Sequence, residues 1–292
     1  MEAAMTRLLG IFGYPLGHSI SPAMHQAALD DLGIDATYEA WATPPEALAG
    51  KVALLRRDPY LGANVTVPHK LAVMDMIDSI DPMAESLGAV NTIVRDGARL
   101  VGYNTDAYGF IRSLKEVGGF DPAGKRVVLI GAGGAARAAA YGLAMEGAAS
   151  ITIANRTVER ATRLATEVAA RGIASTGIAL DGDEIGPACE QADLIVNSSS
   201  IGMWHGPGED ASPIHADLIP TACVVYDMVY NPPVTPLLRD ARNRGAAPVG
   251  GLSMLVYQGA AAFEKWTGRN APVDVMFAAA KKALSGMIES AP

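Results

Sequence analysis

The chain has 292 residues, of which 50% are hydrophobic, and its formal net charge at pH 7 is −8. This length predicts about two domains with ample sequence for a sizeable core. Nucleic acid is excluded as a partner because no basic run is longer than two residues. A membrane span is excluded because no stretch of that length is free of charges, and the apolar run after Arg7 is too short for a signal-peptide core.

The cysteines and histidines predict neither a redox centre nor a metal site. Cys189 and Cys223 lie in apolar surroundings without a C-x-x-C pattern or a neighbouring histidine, which is typical of buried thiols in a cytoplasmic protein. The five histidines show no metal-ligand spacing, so we expect no metal. The oligomeric state is left open between monomer and homodimer.

The first predicted elements are a strand over residues 7–13 and a helix over 22–32, with Ser21 as its N-cap. Between them lies a turn-rich loop that contains Ser19. Two readings of the serines stay open: Ser21 is a plain helix cap, or the two hydroxyls together hold an anion such as a carboxylate at the helix entrance.

The next segment places polar residues at the end of a strand. Elements predicted around it are a strand at 38–42, a helix at 44–56 and a helix at 68–78. Alternation in Asn64-Val-Thr66-Val puts Asn64 and Thr66 on one face. Lys70 is predicted in the first turn of the helix that Pro68 opens, where the helix dipole disfavours a cation. That unfavourable position indicates a functional role for Lys70.

A hairpin over residues 89–101 and a helix over 107–117 follow, with Asp106 at the helix start. Asp106 alone is as well explained by capping as by chemistry. It nevertheless belongs to a polar set at the tips of successive elements, where α/β folds collect their sites. The set is Asn64, Thr66, Lys70, Asn91, Asn104 and Asp106.

The clearest motif follows the predicted strand at 125–130. Gly131-Ala-Gly133-Gly134-Ala135-Ala136 has the spacing G-x-G-x-x-A, and a helix from Gly134 to about residue 146 comes next. The glycines allow a tight turn and close approach of a pyrophosphate, and the helix N-terminus binds phosphate. The sequence therefore predicts a dinucleotide site.

The second strand of this unit, 150–154, leads to Asn155-Arg156-Thr157 and a helix over 157–171 that carries Arg160. A cofactor with a free ribose 2′-hydroxyl normally meets an acid at this place, and none is present. A guanidinium there favours the 2′-phosphate of NADP.

The remaining chain predicts strands at 192–197 and 223–228 and helices at 237–244 and 272–288, with another helix that opens in 248–254 and contains Gln258. Ser198-Ser199-Ser200 lacks the context of a serine hydrolase nucleophile. Met254 is either core filler or a contact to a cofactor ring, which its glycine-rich lead-in would allow to approach.

Together these motifs resemble the shikimate dehydrogenase family, NADP-dependent enzymes of aromatic amino-acid biosynthesis. The matching segments, in the family's order, are Ser19-Ile-Ser21-Pro22, Asn64-Val-Thr66-Val-Pro68-His69-Lys70, Gly88-Ala-Val-Asn91-Thr92, Gly102-Tyr-Asn104-Thr105-Asp106, Gly131-Ala-Gly133-Gly134, Asn155-Arg156-Thr157, Tyr226-Asp-Met-Val-Tyr230 and Gly251-Leu-Ser-Met254-Leu-Val-Tyr-Gln258. The resemblance implies reversible reduction of 3-dehydroshikimate to shikimate. It also implies an α/β fold with an N-terminal substrate domain (1–106, completed by helices in 252–292), a Rossmann-type doubly wound parallel sheet (107–251), and a cleft between them.

The resemblance also implies a role for each matching residue. Lys70 and Asp106 would be the catalytic pair. The substrate carboxylate would meet Ser19 and Ser21, and its hydroxyls Asn64, Thr66, Asn91, Asp106 and Gln258. The cofactor would meet Gly131, Gly133, Gly134 and Ala135 at its pyrophosphate, Asn155, Arg156, Thr157 and Arg160 at its 2′-phosphate, and Met228, Gly251 and Met254 at its nicotinamide.

Two alternatives stay open within the same fold. One is a quinate/shikimate or aminoshikimate dehydrogenase; the other is a non-catalytic NADP-binding sensor, against which Lys70 and Asp106 argue. Ser253 and Tyr257 stand where the family usually has small residues, and Ser198-Ser199 also depart from its commonest pattern. These departures concern kinetics and substrate breadth more than reaction type.

Overall fold

The computed structural model describes residues 6–17 and 19–289, so the N-terminal lead-in at 1–5 and His18 of the predicted loop lie outside the described residues. The chain divides into two compact units. The first comprises the chain up to Thr105 together with the segment from Val256 onward, and the second is Asp106–Leu255. The prediction of an α/β fold is confirmed.

The strands and helices are numbered in chain order. The strands are β1 Arg7–Gly13, β2 Ala36–Ala42, β3 Gly62–Val65, β4 Ser79–Ile80, β5 Thr92–Asp96, β6 Arg99–Tyr103, β7 Arg126–Ile130, β8 Ser150–Asn155, β9 Ala174–Ala179, β10 Leu194–Asn197, β11 Val224–Asp227 and β12 Ala247–Gly250. The helices are α1 Ser21–Asp31, α2 Leu48–Leu54, α3 Pro82–Leu87, α4 Asp106–Glu116, α5 Gly134–Met145, α6 Val158–Ala169, α7 Ile185–Glu190, α8 Pro236–Asn243, α9 Leu252–Thr267 and α10 Val273–Glu289.

The first unit contains a mixed six-stranded sheet in the order β2-β1-β3-β5-β6-β4. β1 runs parallel to β2 and β3, whereas β5 is antiparallel to both β3 and β6. The predicted hairpin is therefore present as β5 and β6. The hydrophobic core of the first unit contains Phe12, Val65, Ile93 and Leu100, each no more than 2% exposed. The polar ends of β3 and β5 lie side by side, because Asn64 pairs with Thr92.

The second unit contains a six-stranded parallel sheet in the order β12-β11-β10-β7-β8-β9. Its central strands β7 and β10 read as continuous apolar runs, as expected for strands buried on both faces. From β7 the chain proceeds outward to β8 and β9, and then returns to β10 on the other side. Strand order therefore reverses between β7 and β10, which is the place where doubly wound sheets bind ligands at the carboxyl ends of their strands.

Three predicted elements differ in the structure. The helix expected at 44–56 is a short 3-10 turn, Pro45–Ala47, followed by α2. The helix expected at 68–78 is absent: His69 N–H closes a turn onto Thr66 O (2.9 Å), and only a 3-10 helix, Ala72–Met76, follows. Residues 248–250 belong to strand β12 instead of opening a helix, because Pro248 lies on an edge strand where its missing N–H costs little.

Trp266 in α9 fixes that helix to the sheet of its unit. Its indole N–H donates to Ile93 O at 2.8 Å, and the side chain is 8% exposed overall. Trp266→Phe should lower the free energy of unfolding by about 1 to 3 kcal/mol, because a buried carbonyl loses its partner. Urea denaturation would measure the change.

Trp204 offers the matched control. It stacks on His205 at 5.0 Å between ring centroids and uses its backbone N–H, not its side chain, to bond Asn231 O. Trp204→Phe should shift the unfolding free energy by less than about 0.5 kcal/mol. Equal shifts for the two variants would show that the indole bond to Ile93 is not what stabilises α9.

Candidate functional site

Asn91 is the centre of a buried hydrogen-bond network in the first unit. Its Oδ1 accepts from Thr105 N–H (2.9 Å) and from Thr92 Oγ1 (2.9 Å). Its Nδ2 donates to Thr105 Oγ1 (3.0 Å) and lies 3.5 Å from Gln258 Oε1. The network joins the start of β5, the residue before α4 and helix α9. Of the predicted substrate residues, the structure thus brings Asn91 and Gln258 together.

Asn64, at the end of β3, belongs to the same network. Its Nδ2 donates to Asn91 O and to Thr92 Oγ1, both at 3.2 Å, and its Oδ1 accepts from the Tyr38 hydroxyl at 2.6 Å. Asn64 is 5% exposed. Three amides therefore lie in one cluster, a composition suited to binding the hydroxyls of a polyol.

The serine pair differs from the predicted cap. Helix α1 begins at Ser21, and its N-cap residue, Ile20, forms no side-chain cap bond. Instead, the Ser21 N–H donates to Ser19 Oγ at 3.3 Å. The prediction of Ser21 as N-cap is wrong because the helix starts one residue earlier, which makes Ser21 its first residue, with no partner for its N–H inside the helix. The pair remains at the helix entrance.

Lys70 lies in a turn, so the prediction of a helical first turn is wrong, and the dipole argument for its function fails with it. Its carbonyl accepts from Val90 N–H at 2.8 Å, which holds the turn against the segment before β5. Thr66 follows β3 and donates its N–H to Phe12 O at 2.8 Å. Lys70 belongs to the first unit, whereas Asp106 is the first residue of α4 in the second.

The glycine turn after β7 has the predicted form. Gly131 has a φ of 108°, which favours glycine, and donates its N–H to Ala154 O at 2.8 Å. Gly133 and Gly134 are exposed, and a Cβ added to either would meet no atom within 4 Å. Ala136 is fully buried, as close helix–strand packing requires. Open backbone N–H groups at the start of α5 are suited to a pyrophosphate, together with Ala135.

Two arginines, Arg156 and Arg160, lie in the turn after β8 and in the first turn of α6. The Asn155 amide donates to Thr157 O at 2.9 Å and so shapes the turn into α6. Arg156 and Arg160 are exposed, and neither forms an ion pair within residues 6–17 and 19–289. Thr157 occupies the N-cap position of α6 without a side-chain cap bond. This surface fits a phosphate monoester.

Asp227, at the end of β11, hydrogen-bonds to the end of β10 and to the segment that leads into α8. These strands lie on the β10 side of the place where strand order reverses. Its carboxylate accepts from Asn197 Nδ2 (2.9 Å), Val229 N–H (3.0 Å) and Thr235 Oγ1 (2.6 Å). Met228 follows and donates its N–H to Asn197 O at 2.9 Å. Sequence reasoning missed Asn197, Asp227 and Thr235 as one group, because the only local signal was polar residues at strand ends.

Gly251 lets the start of α9 approach Met228 closely, since a Cβ there would overlap the carbonyl of Met228. Met254 is partly exposed on the first turn of α9. Ser253, which departs from the family pattern, has its Oγ 2.6 Å from Ser113 Oγ and 3.2 Å from Gly250 O. Its hydroxyl is therefore satisfied locally instead of facing a cofactor.

Both cysteines of the second unit are buried. Cys189 and Cys223 are free and buried, and burial raises the pKa of the Cys189 thiol to about 11 and that of Cys223 to about 12. Over residues 6–17 and 19–289, no three His, Cys, Asp or Glu side chains are grouped to hold a metal ion. No helix in the same ranges is long and apolar enough to cross a bilayer.

The parallel sheet that reverses strand order beside an open glycine turn, with a second α/β unit carrying an amide cluster, defines a dinucleotide-binding α/β protein. Three family profiles match the chain: "Shikimate dehydrogenase substrate binding domain" at residues 11–93, "Shikimate / quinate 5-dehydrogenase" at 114–202 and "Shikimate 5'-dehydrogenase C-terminal domain" at 251–281. The chain belongs to the shikimate dehydrogenase family.

Individual relatives agree with this assignment. The NADP(+)-dependent shikimate dehydrogenase of Methanopyrus kandleri is 50% identical, over 94% of each chain. The structure of the Thermus thermophilus shikimate 5-dehydrogenase in complex with NADP(H) and shikimate is 39% identical, with a TM-score of 0.85, and 95% of this chain and 99% of that one align. A quinate dehydrogenase from Corynebacterium glutamicum in complex with NAD is 31% identical, with a TM-score of 0.86 and coverage of 95% and 99%.

Burial raises the pKa of Asp227 to about 6, from an ordinary value of 3.8, although its three donors oppose the shift. The folded protein therefore holds this proton more tightly than the unfolded chain. The carboxyl group's contribution to stability is complete below about pH 4 and is lost as the pH rises through 6. Relative to Asp227→Asn, wild-type stability should fall by about 2 to 3 kcal/mol between pH 4 and 7.

Urea unfolding at each pH would measure that difference. Asn carries no charge at any pH. Its altered hydrogen bonds therefore change the free energy of unfolding by the same amount at every pH. A difference that is flat from pH 4 to 7 would contradict the raised pKa.

Proposed function

We propose that this protein catalyses the NADP-dependent, reversible reduction of 3-dehydroshikimate to shikimate, with Lys70 and Asp106 as its catalytic pair. The observation that carries the proposal is the amide cluster of Asn64, Asn91 and Gln258, together with an open glycine turn that precedes two arginines free of ion pairs within the described residues. A relative supports the choice of both ligands, because the Thermus thermophilus enzyme was crystallised in complex with NADP(H) and shikimate.

A bound NADPH would supply the hydride, from nicotinamide C4. The chain's own residues then have to orient the substrate, hold the cofactor and provide a proton to the oxygen that becomes a hydroxyl. Ser19 and Ser21 are suited to the substrate carboxylate, because a hydroxyl and helix N–H groups lie at the entrance of α1. Thr66, Asn64, Asn91 and Gln258 are suited to its ring hydroxyls.

Lys70 is proposed to stabilise the developing alkoxide and to donate a proton to it, since an ammonium group can do both. Asp106 is assigned the orientation of Lys70 and a hydrogen bond from a substrate hydroxyl. On the cofactor side, Gly131, Gly133, Gly134 and Ala135 would hold the pyrophosphate, and Asn155, Arg156, Thr157 and Arg160 the 2′-phosphate. Met228, Gly251 and Met254 would line the nicotinamide.

A spectrophotometric assay over shikimate and quinate, with both nicotinamide cofactors, tests the proposal. The expected result is NADPH absorbance with shikimate and NADP. Preference for quinate would favour the alternative that the Corynebacterium glutamicum relative suggests, and no absorbance at high enzyme concentration would favour a non-catalytic sensor. We also propose a cytoplasmic location, which the two buried free thiols support.

Arg156→Ala should weaken NADP binding by about 2 to 3 kcal/mol and leave NAD binding almost unchanged, because a charge-assisted bond to the 2′-phosphate is lost. Isothermal titration with each cofactor would measure this. Arg163, exposed on α6 and also without an ion pair in the described part of the chain, gives the control Arg163→Ala, which should change neither affinity. An equal loss with NADP and NAD would show that Arg156 does not read the 2′-phosphate.

Lys70→Met should lower kcat by at least about a hundredfold, the low end for general acid–base catalysis. The KM for shikimate should change much less, because the serines and amides hold the substrate. Steady-state kinetics would separate the two parameters. Asp106→Asn should also reduce kcat, and the double variant should be little worse than either single one, because the two residues act as a unit.

Lys51, exposed on α2, provides the control Lys51→Met, which should leave both parameters unchanged. A Lys70→Met enzyme with near-normal kcat and a greatly raised KM would instead make Lys70 a binding residue. The proton donor would then have to be a different group.

A further inference from the structure

Tyr38 in β2 lies beneath the amide cluster. It is 4% exposed, and its ring stacks on His25 with centroids 4.4 Å apart and planes 9° apart, while Trp266 contacts it at 6.1 Å. These neighbours fix the ring and direct its hydroxyl at Asn64 Oδ1, 2.6 Å away. The phenol therefore has one orientation and one target.

His25 does not compete for that hydroxyl. Its two ring nitrogens are buried and have no hydrogen-bond partner within the described residues. Burial lowers the pKa of His25 to about 3, so the ring is neutral near pH 7 and places no charge under the network. Its nearly parallel stacking presents its face, not its nitrogens, to the phenol. Asn64 is left as the acceptor for Tyr38.

The orientation of the Asn64 amide follows from groups whose role is fixed. The Asn91 carbonyl can only accept, so the Asn64 atom 3.2 Å from it has to be the nitrogen. The other Asn64 atom is then the oxygen, and Tyr38 has to donate to it. In the same way, the Thr105 N–H can only donate, which identifies Asn91 Oδ1 without reference to any assumed orientation.

The hydrogen-bonding capacity of Asn64 is accordingly divided. Both hydrogens of Nδ2 are used, by Asn91 O and by Thr92 Oγ1. Its oxygen accepts from Tyr38 and keeps a second lone pair. Asn64 can thus accept one further hydrogen bond and cannot donate one.

We propose that Tyr38 is a positioning residue that fixes the oxygen of Asn64, while Asn91 O and Thr92 Oγ1 occupy both hydrogens of its amide. The substrate group bound by Asn64 then has to be a hydrogen-bond donor, that is, a ring hydroxyl and not a carbonyl or an ether oxygen. The inference rests on the proposed function, because it assumes that Asn64 contacts the substrate. It adds Tyr38, which is not among the residues proposed to contact the substrate, and it predicts which substrate groups Asn64 can bind. Discrimination arises because a site built to accept from a hydroxyl leaves its own acceptor unpaired when that hydroxyl is missing.

Tyr38→Phe removes the hydroxyl and keeps the ring stack. The KM for shikimate should rise about 5- to 20-fold, which corresponds to one lost hydrogen bond, while kcat and the KM for NADP stay within about twofold. In an Asn64→Ala background, Tyr38→Phe should add less than about twofold, because Tyr38 acts through Asn64. The control is Tyr60→Phe, whose ring contacts Trp41 edge-on in the same unit.

Shikimate analogues with fluorine in place of each ring hydroxyl that is not oxidised, one at a time, give a second measurement, which needs no change at Tyr38. One position should show a raised KM with the wild-type enzyme, and that penalty should vanish with Asn64→Ala, since fluorine cannot donate. This arm tests the acceptor role of Asn64, and with it the predicted selectivity, even when Tyr38→Phe does not fold.

Three results would overturn the inference while leaving the proposed function intact. They are an unchanged KM in folded Tyr38→Phe, an equal KM rise in the Asn64→Ala background, and a fluorine penalty that Asn64→Ala does not remove. A lower melting temperature of Tyr38→Phe with normal kinetics would likewise make Tyr38 a packing residue. A wild-type enzyme inactive with shikimate and NADP would remove the proposed function and this inference together.

Discussion

The side chain of Asn91 is the constraint on which the polar end of the first unit depends. It bonds its chain neighbour Thr92 and contacts two other segments, through Thr105 and Gln258. Its oxygen accepts from Thr105 N–H and from Thr92 Oγ1. Because it is 2% exposed, water cannot replace a missing partner at low cost. An apolar residue here would leave a backbone N–H and two hydroxyls to be satisfied at once. Asn91, which we proposed as a substrate residue, therefore also has a structural role.

Asp227 has the corresponding position in the second unit, but its chemistry differs. A carboxylate accepts from three donors on β10, on its own loop and at the start of α8, and it remains costly to ionise in this buried place. Strand ends are thus joined by an amide, Asn91, in the first unit and by a carboxylate, Asp227, in the second. The amide can both donate and accept, which suits a site for hydroxyls. The anion fixes the loop that contains Met228, one of the residues proposed to line the nicotinamide.

Sequence patterns predicted the elements whose determinants lie close together in the chain. The glycine turn, α5 and β8 were predictable because strand, turn and helix signals follow one another within about thirty residues. The helix predicted at Lys70 was wrong because a bond from Val90, twenty positions away, holds the turn there, and no pattern around Pro68 records it. Tyr38 could not be found for the same reason, since β2, β1 and β3 have to pair before its hydroxyl meets Asn64.

The first unit is built from two separated pieces of chain, because most of α9 and all of α10 follow the second unit in sequence. During synthesis on the ribosome, the second unit is therefore the earlier one to be complete. Until α9 emerges, Ile93 O lacks the indole of Trp266, and α1 lacks α10, the helix with which it packs most extensively. The early sheet then exposes apolar surface for the time taken to translate about 150 further residues, which is the interval in which a chaperone would engage the nascent chain.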